Sequence, residues 1–170
     1  MKKLFTIGYE GAALDDFVDA LKTAKINVLL DVRELAISRR KGFSKTALGN
    51  ALSEAGIIYR HEKQLGSPKT IRHRLREDGN YPRFFRAFDQ HLNKQLALLE
   101  ELAAELKGNV ALMCYEKDHE ECHRRSVAHA LAGLLDKTPI HLGVDDHARK
   151  TPEVTWAHSQ SVPEERTHGL

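Results

Sequence analysis

Val28-Leu29-Leu30-Asp31-Val32 is apolar on consecutive positions, with a single acid inside the run. A strand with one face in water alternates in polarity, whereas a strand covered on both faces does not, so this run predicts a parallel sheet with helices on either side. Upstream, Leu4-Phe5-Thr6-Ile7 reads as an earlier strand of the same kind. Between the two, Leu14, Phe17, Val18 and Leu21 keep the three-and-four spacing of a helix whose first turn carries Asp15 and Asp16. Downstream, an arginine-rich loop closes at Gly42, Ser44 starts a helix through Leu48 and Leu52 to Gly56, and Ile57-Ile58-Tyr59 is a short third strand.

The same alternation continues. Gln64 to Tyr81, polar and basic with Gly66, Pro68 and Gly79, is expected to be a long irregular segment, a lid or a binding loop. The stripe Phe84, Phe85, Phe88, Leu92, Leu96, Leu99 and Leu106 predicts one long helix or two abutting ones, ended by Gly108-Asn109. Val110 to Met113 is the fourth strand, Tyr115 to Glu121 a polar loop, Val127 to Leu135 a helix, and Ile140-His141-Leu142 the last strand. The pattern therefore predicts an α/β fold of three layers, a mostly parallel sheet of about five strands flanked by helices, in a single domain. That domain spans residues 1–144; residues 145–170 lack periodicity and are expected to form a loosely held tail.

A chain of 170 residues has the size of one domain. It is 41% hydrophobic and 29% charged, and no apolar run approaches the roughly 20 residues of a membrane span. Two cysteines are too few for a disulfide framework, and with no signal peptide at the N-terminus the expected location is the cytoplasm. Net charge is only +2, but Arg33 to Arg76 holds eleven Lys or Arg against three acids, which predicts an anionic partner if those residues share a face.

Ligands of an open parallel sheet bind beyond the carboxyl ends of its strands. That rule selects Gly8-Tyr9-Glu10-Gly11, Asp31 with Arg33, Arg60-His61-Glu62 and Cys114-Tyr115-Glu116. Cys122-His123-Arg124-Arg125 opens the following helix, and stepping back three or four residues from Val127 and Ala128 puts His123 and Arg124 on its sheet-facing side. A thiol at a helix N-terminus beside His and Arg predicts a lowered pKa, so Cys122 is a candidate nucleophile. Cys114 is another, unless the two are a redox pair or simply packed hydrophobes. Asp31 is expected either to pair with Arg33 or to act as a base. Ser38-Arg39-Arg40-Lys41 and Arg72-x-Arg74-x-Arg76 can grip phosphates or can be solvated surface. A Cys-dependent phosphatase would carry Arg six residues after Cys114, where this chain has Glu120. Glu116, Asp118, His119, Cys122 and His123 are ligand types, but their spacing matches no paired zinc pattern, so no metal is assigned and no cofactor is required.

Thr6-Ile7-Gly8-Tyr9-Glu10-Gly11, Asp31-Val32-Arg33, Ser38 to Lys45, Gly56-Ile57-Ile58-Tyr59, Leu65-Gly66 and Cys114-Tyr115-Glu116 with Cys122-His123-Arg124 resemble the bacterial and archaeal family called domain of unknown function 488, in order over about residues 4 to 142. The resemblance implies an α/β fold and a shared pocket, with Gly8, Tyr9, Glu10, Asp31, Arg33, Ser38, Arg39, Gly42, Phe43, Cys114, Glu116, Cys122, His123 and Arg124 on its signature positions. Residues and resemblance together favour an enzyme, a hydrolase or transferase, acting on a small anionic or nucleotide-like substrate at the carboxyl edge of the sheet. In that reading Asp31, Glu116 and His123 handle protons and Cys114 or Cys122 attacks, while Gly8, Tyr9, Glu10, Arg33, Ser38, Arg39 and Arg124 hold the ligand. The alternatives are a non-catalytic nucleic-acid-binding module using the basic 33–76 segment and a thiol or metal sensor.

Overall fold

The doubly buried strand at Val28 lies inside a five-stranded sheet in the computed structural model, which describes residues 1–144. The expected tail, 145–170, lies outside the described residues. Strands β1 (Lys3–Gly8), β2 (Val28–Asp31), β3 (Ile58–His61), β4 (Asn109–Cys114) and β5 (Ile140–Leu142) are arranged in the order β3-β2-β4-β1-β5, and every pairing is parallel. Helices α1 (Leu14–Thr23) and α2 (Lys45–Glu54) cover one face. Helices α4 (Tyr81–Asn93), α5 (Leu96–Glu105) and α6 (Arg124–Leu135) cover the other, giving the expected three layers.

Side-chain alternation along the strands sorts the core into two halves. Val28, Leu30 and Val32 of the β2 segment and Val110, Leu112 and Cys114 of β4 pack under α4, α5 and α6. Leu29, Ala111 and Met113 pack under α1 and α2 with Phe5, Ile7 and Tyr9. The aromatic stripe 84–106 is two helices, broken at Lys94 and Gln95, and Phe84, Phe85 and Phe88 are buried as core.

The segment 64–81 departs from expectation. Instead of an irregular lid it holds a 3-10 turn at Lys63–Leu65 and a ten-residue helix, α3 (Lys69–Asp78), that ends at Gly79 in the left-handed conformation (φ 61°). Between Pro68 and Gly79 no residue breaks a helix, and Lys, Arg, Leu and Glu favour one. The signal is faint because α3 buries no residue fully and its apolar spacing is a single half-buried pair, Ile71 and Leu75, among eight polar or charged residues. Among the described residues no helix is long and apolar enough to cross a membrane.

Candidate active site at the carboxyl edge of the sheet

Connections leaving neighbouring strands β2 and β4 go to opposite faces, the first to α2 and the second to α6, which opens a crevice at their carboxyl ends. A cleft of about 590 Å³ lies there, lined by Tyr9, Arg33, Glu34, Leu35, Ile37, Ser38, Arg39, Arg40, Arg72, Arg76, Cys114, Tyr115, Glu116 and His123. Five arginines face two carboxylates. Seven of the twelve residues expected at the site line it: Tyr9, Arg33, Ser38, Arg39, Cys114, Glu116 and His123.

Asp31 does not. Register pairs Asp31 with Met113, so its side chain shares the α2 face with Met113, while Cys114, one residue on, faces α6. The carboxylate is fully buried and accepts from the Arg33 backbone N–H (3.1 Å), Arg33 Nε (2.8 Å), an Arg33 terminal nitrogen (2.6 Å) and the Tyr59 hydroxyl (2.6 Å). Those bonds fill both oxygens, which suits an internal ion pair and leaves no lone pair for a substrate proton. The other terminal nitrogen of Arg33 donates to Tyr9 Oη (2.8 Å) and the Phe43 carbonyl (2.9 Å). Burial works against the Arg33 cation, but Asp31 and Tyr9 outweigh it and raise its pKa. Tyr9 in turn stacks on Phe43 with centroids 4.4 Å apart.

Arg124 is also placed away from the cleft lining. It is 1% exposed, and its guanidinium donates to the carbonyls of Glu116 and Lys117 (3.0 Å to the latter), clamping the loop that carries Glu116. Gly8 admits that loop, because a Cβ there would fall on the Glu116 carbonyl. Glu10 accepts from the Lys117 backbone N–H at 2.9 Å and holds the loop from the other side. These three residues hold the Glu116 loop in place, and Gly8 and Glu10 line a separate cavity of about 280 Å³ instead of this cleft.

Within the cleft lining a thiol, a carboxylate and an imidazole converge. Cys114 Sγ lies 3.2 Å from Glu116 Oε2 and 3.6 Å from His123 Nδ1. His123 Nε2 sits 2.8 Å from the Val32 carbonyl, an acceptor only, so this nitrogen carries the proton and Nδ1 presents its lone pair to sulfur when the ring is neutral. Phe88 meets the ring edge-on at 5.1 Å. Cys122 precedes α6 instead of opening it, is 1% exposed, and does not line the cleft. Its thiol is therefore not the acidified one expected: burial, and then the neighbouring Cys114, push its pKa well up against the opposing pull of His123. Burial alone would raise the Glu116 carboxyl, but hydrogen bonds from Cys122, its own backbone and Cys114 hold it below the usual range. Burial alone would lower His123, but contact with Cys122 and the Val32 carbonyl leaves it raised.

The basic residues divide as helical geometry requires. Arg72 and Arg76, one turn apart on α3, line the cleft, whereas Arg74 lies in a separate groove of about 660 Å³ between α3 and α4 that contains no cysteine. Arg72 pairs with Glu34 at 2.6 Å and donates to the Ser67 carbonyl, and Arg40 donates to the Ala12 carbonyl. The spacing 72, 76 was the available signal for the cleft face, readable once 69–78 is known to be helical. Of the remaining strand-end candidates, His61 contacts the Arg33 carbonyl at 2.8 Å and Arg60 pairs with Glu62 and Glu105, so both brace the β3 end. Glu120, at the position a phosphatase would give to Arg, pairs with Arg125 at 2.6 Å.

The model of the family described as "Domain of unknown function DUF488" matches residues 13–131. No curated protein and no solved structure matches the chain.

Proposed function

The chain belongs to the DUF488 family, and we propose that it is an enzyme acting on a small phosphate-bearing or otherwise anionic substrate in the cleft at the carboxyl edge of the sheet. The observation that supports this reading is that one cleft is lined both by five arginines and by Cys114, Glu116 and His123. Arg39, Arg40, Arg72 and Arg76 hold the anion, with Ser38 beside them; guanidinium groups suit planar, bidentate recognition of phosphate and carboxylate. The reacting centre of the substrate then lies over Cys114 and His123, whose tautomer is set by the Val32 carbonyl. Group transfer or hydrolysis suits such a centre. Two free, buried thiols fit a reducing, cytoplasmic setting.

A thermal-shift panel of pyrophosphate, nucleoside diphosphates and sugar phosphates tests the reading, followed by phosphorus NMR of any stabilising compound for turnover. A ligand should raise the melting temperature of the wild type and fail to do so for Arg39→Ala/Arg76→Ala. If nothing in the panel stabilises the wild type, or the double variant responds equally, the substrate class is wrong.

The basic helix α3, with Lys69, Arg72, Arg74 and Arg76 spread over both its faces and no fully buried residue, favours nucleic-acid binding as the second reading. In that case affinity rises with oligonucleotide length, falls steeply with salt, and is indifferent to Cys114→Ala.

A further inference from the structure

Cys114, Glu116, Cys122 and His123 each offer one ligating atom, and all four atoms lie within 4.8 Å of one another. We infer that this cluster is a zinc site. Three observations carry the inference independently of one another. The first is spacing in space rather than in sequence. Zinc bonds of about 2.0–2.3 Å in a tetrahedron put ligand atoms about 3.3–3.8 Å apart. The 3.6 Å contact from Cys114 to His123 falls within that range, and the 3.2 Å contact from Cys114 to Glu116 lies just below it. The second is orientation. A histidine that ligates through one nitrogen holds its other N–H on a carbonyl or carboxylate, and His123 holds Nε2 on the Val32 carbonyl at 2.8 Å while Nδ1 faces the sulfurs.

The third is the rigidity of the cage. Cys114 is fixed at the end of β4, and Cys122 and His123 on the turn into α6. The loop that brings Glu116 over them is clamped by Arg124 through two backbone carbonyls. Two thiolates, an imidazole and a carboxylate are a donor set that selects zinc over magnesium or calcium. Binding releases one proton from each thiol, and the occupied cluster, with two thiolates and one carboxylate around a dication, carries a net charge of −1. Glu116 is the only one of the four that is not fully buried, and it lines the arginine cleft. A substrate oxygen that replaces the Glu116 carboxylate would be polarised by the metal while its anionic group stays on the arginines. This last step rests on the function proposed above; the metal site does not.

Purification under reducing conditions without chelator, followed by elemental analysis, should give one zinc per chain. Cobalt(II) in place of zinc should show the intense visible bands of a tetrahedral centre and sulfur-to-cobalt charge transfer in the near ultraviolet, a readout that needs no variant. Cys122→Ser and His123→Gln should bind zinc at least ~100-fold more weakly in competition with a chromophoric chelator, whereas Arg39→Ala/Arg76→Ala should bind it as the wild type does. Wild-type protein that takes up no zinc when supplied with it, or gives an octahedral cobalt spectrum without charge transfer, overturns the site. The two ideas fail separately: a zinc protein that ignores every anion in the panel refutes the substrate class alone, and an anion-binding protein that takes up no zinc refutes the metal alone.

Discussion

Asp31 has every acceptor position occupied by Arg33 and Tyr59, and both members of the ion pair are buried. Breaking such a pair strands a charge, so Asp31→Asn should lower unfolding free energy by about 3–5 kcal/mol in urea titrations. A loss below about 1 kcal/mol would mean that Arg33 finds another anion. Tyr59→Phe removes one donor from the same carboxylate and should cost about 1–3 kcal/mol. Its pH dependence has a defined sign. Burial, and then the hydrogen bond to Asp31, raise the Tyr59 phenol above its ordinary value of 10.0, so the folded state keeps the proton more tightly than the unfolded one. The stability this supplies is complete below pH 10 and falls as pH rises through the raised pKa; melting curves of Tyr59→Phe should have a correspondingly flatter alkaline limb.

At the scale of elements, α3 turns a basic segment into two faces. Arg72→Ala and Arg76→Ala should each weaken pyrophosphate binding several-fold in calorimetry, while Arg74→Ala, on the groove shared with α4, should leave it unchanged. Equal losses for all three would point to a diffuse basic surface. The end of β1 makes a different demand. Gly8 pairs with Cys114 and lets the loop cross above it, so Gly8→Ala must displace the Glu116 backbone, with an expected cost of about 1–3 kcal/mol by urea denaturation. Arg124→Lys, which cannot hold two carbonyls with one planar group, should loosen the same loop without touching the ligand.

For the molecule as a whole, net charge is a poor guide to binding. A chain of net charge +2 concentrates five arginines against Glu34 and Glu116 in one cleft. Low-dielectric walls focus that field, so pyrophosphate affinity should fall several-fold as ionic strength rises from about 0.05 to about 0.5 M, where the screening length shrinks from well over 10 Å toward a few ångströms. Salt-independent binding would show that the arginines do not carry it. The crevice itself is a property of strand order, since only the placement of β4 between β1 and β2 brings Cys114 beneath the loop that bears Arg39.

Sequence alone determined the layers and most of the elements, because burial on two faces writes unbroken apolar runs and burial on one helical face writes a 3.6-residue period. It also determined that Asp31 and Arg33 share a face, since they lie two apart on a strand, and that His123 and Arg124 turn toward the sheet, since they precede Val127 and Ala128 by one turn. It missed α3, which buries no residue fully and whose apolar spacing is a single pair, Ile71 and Leu75. Tertiary structure decided the rest. Register set Asp31 beside Met113 and so put it on the opposite face from Cys114, separating two groups that sequence had placed at one site. Loop path decided that Arg124 holds backbone carbonyls instead of an anion, and that Cys122, expected to be acidified at a helix end, is buried against Cys114. The ligating atoms of Cys114, Glu116, Cys122 and His123 meet within 4.8 Å although no familiar spacing joins them. A loop that folds back brings together residues whose distance along the chain carries no trace of their distance in space.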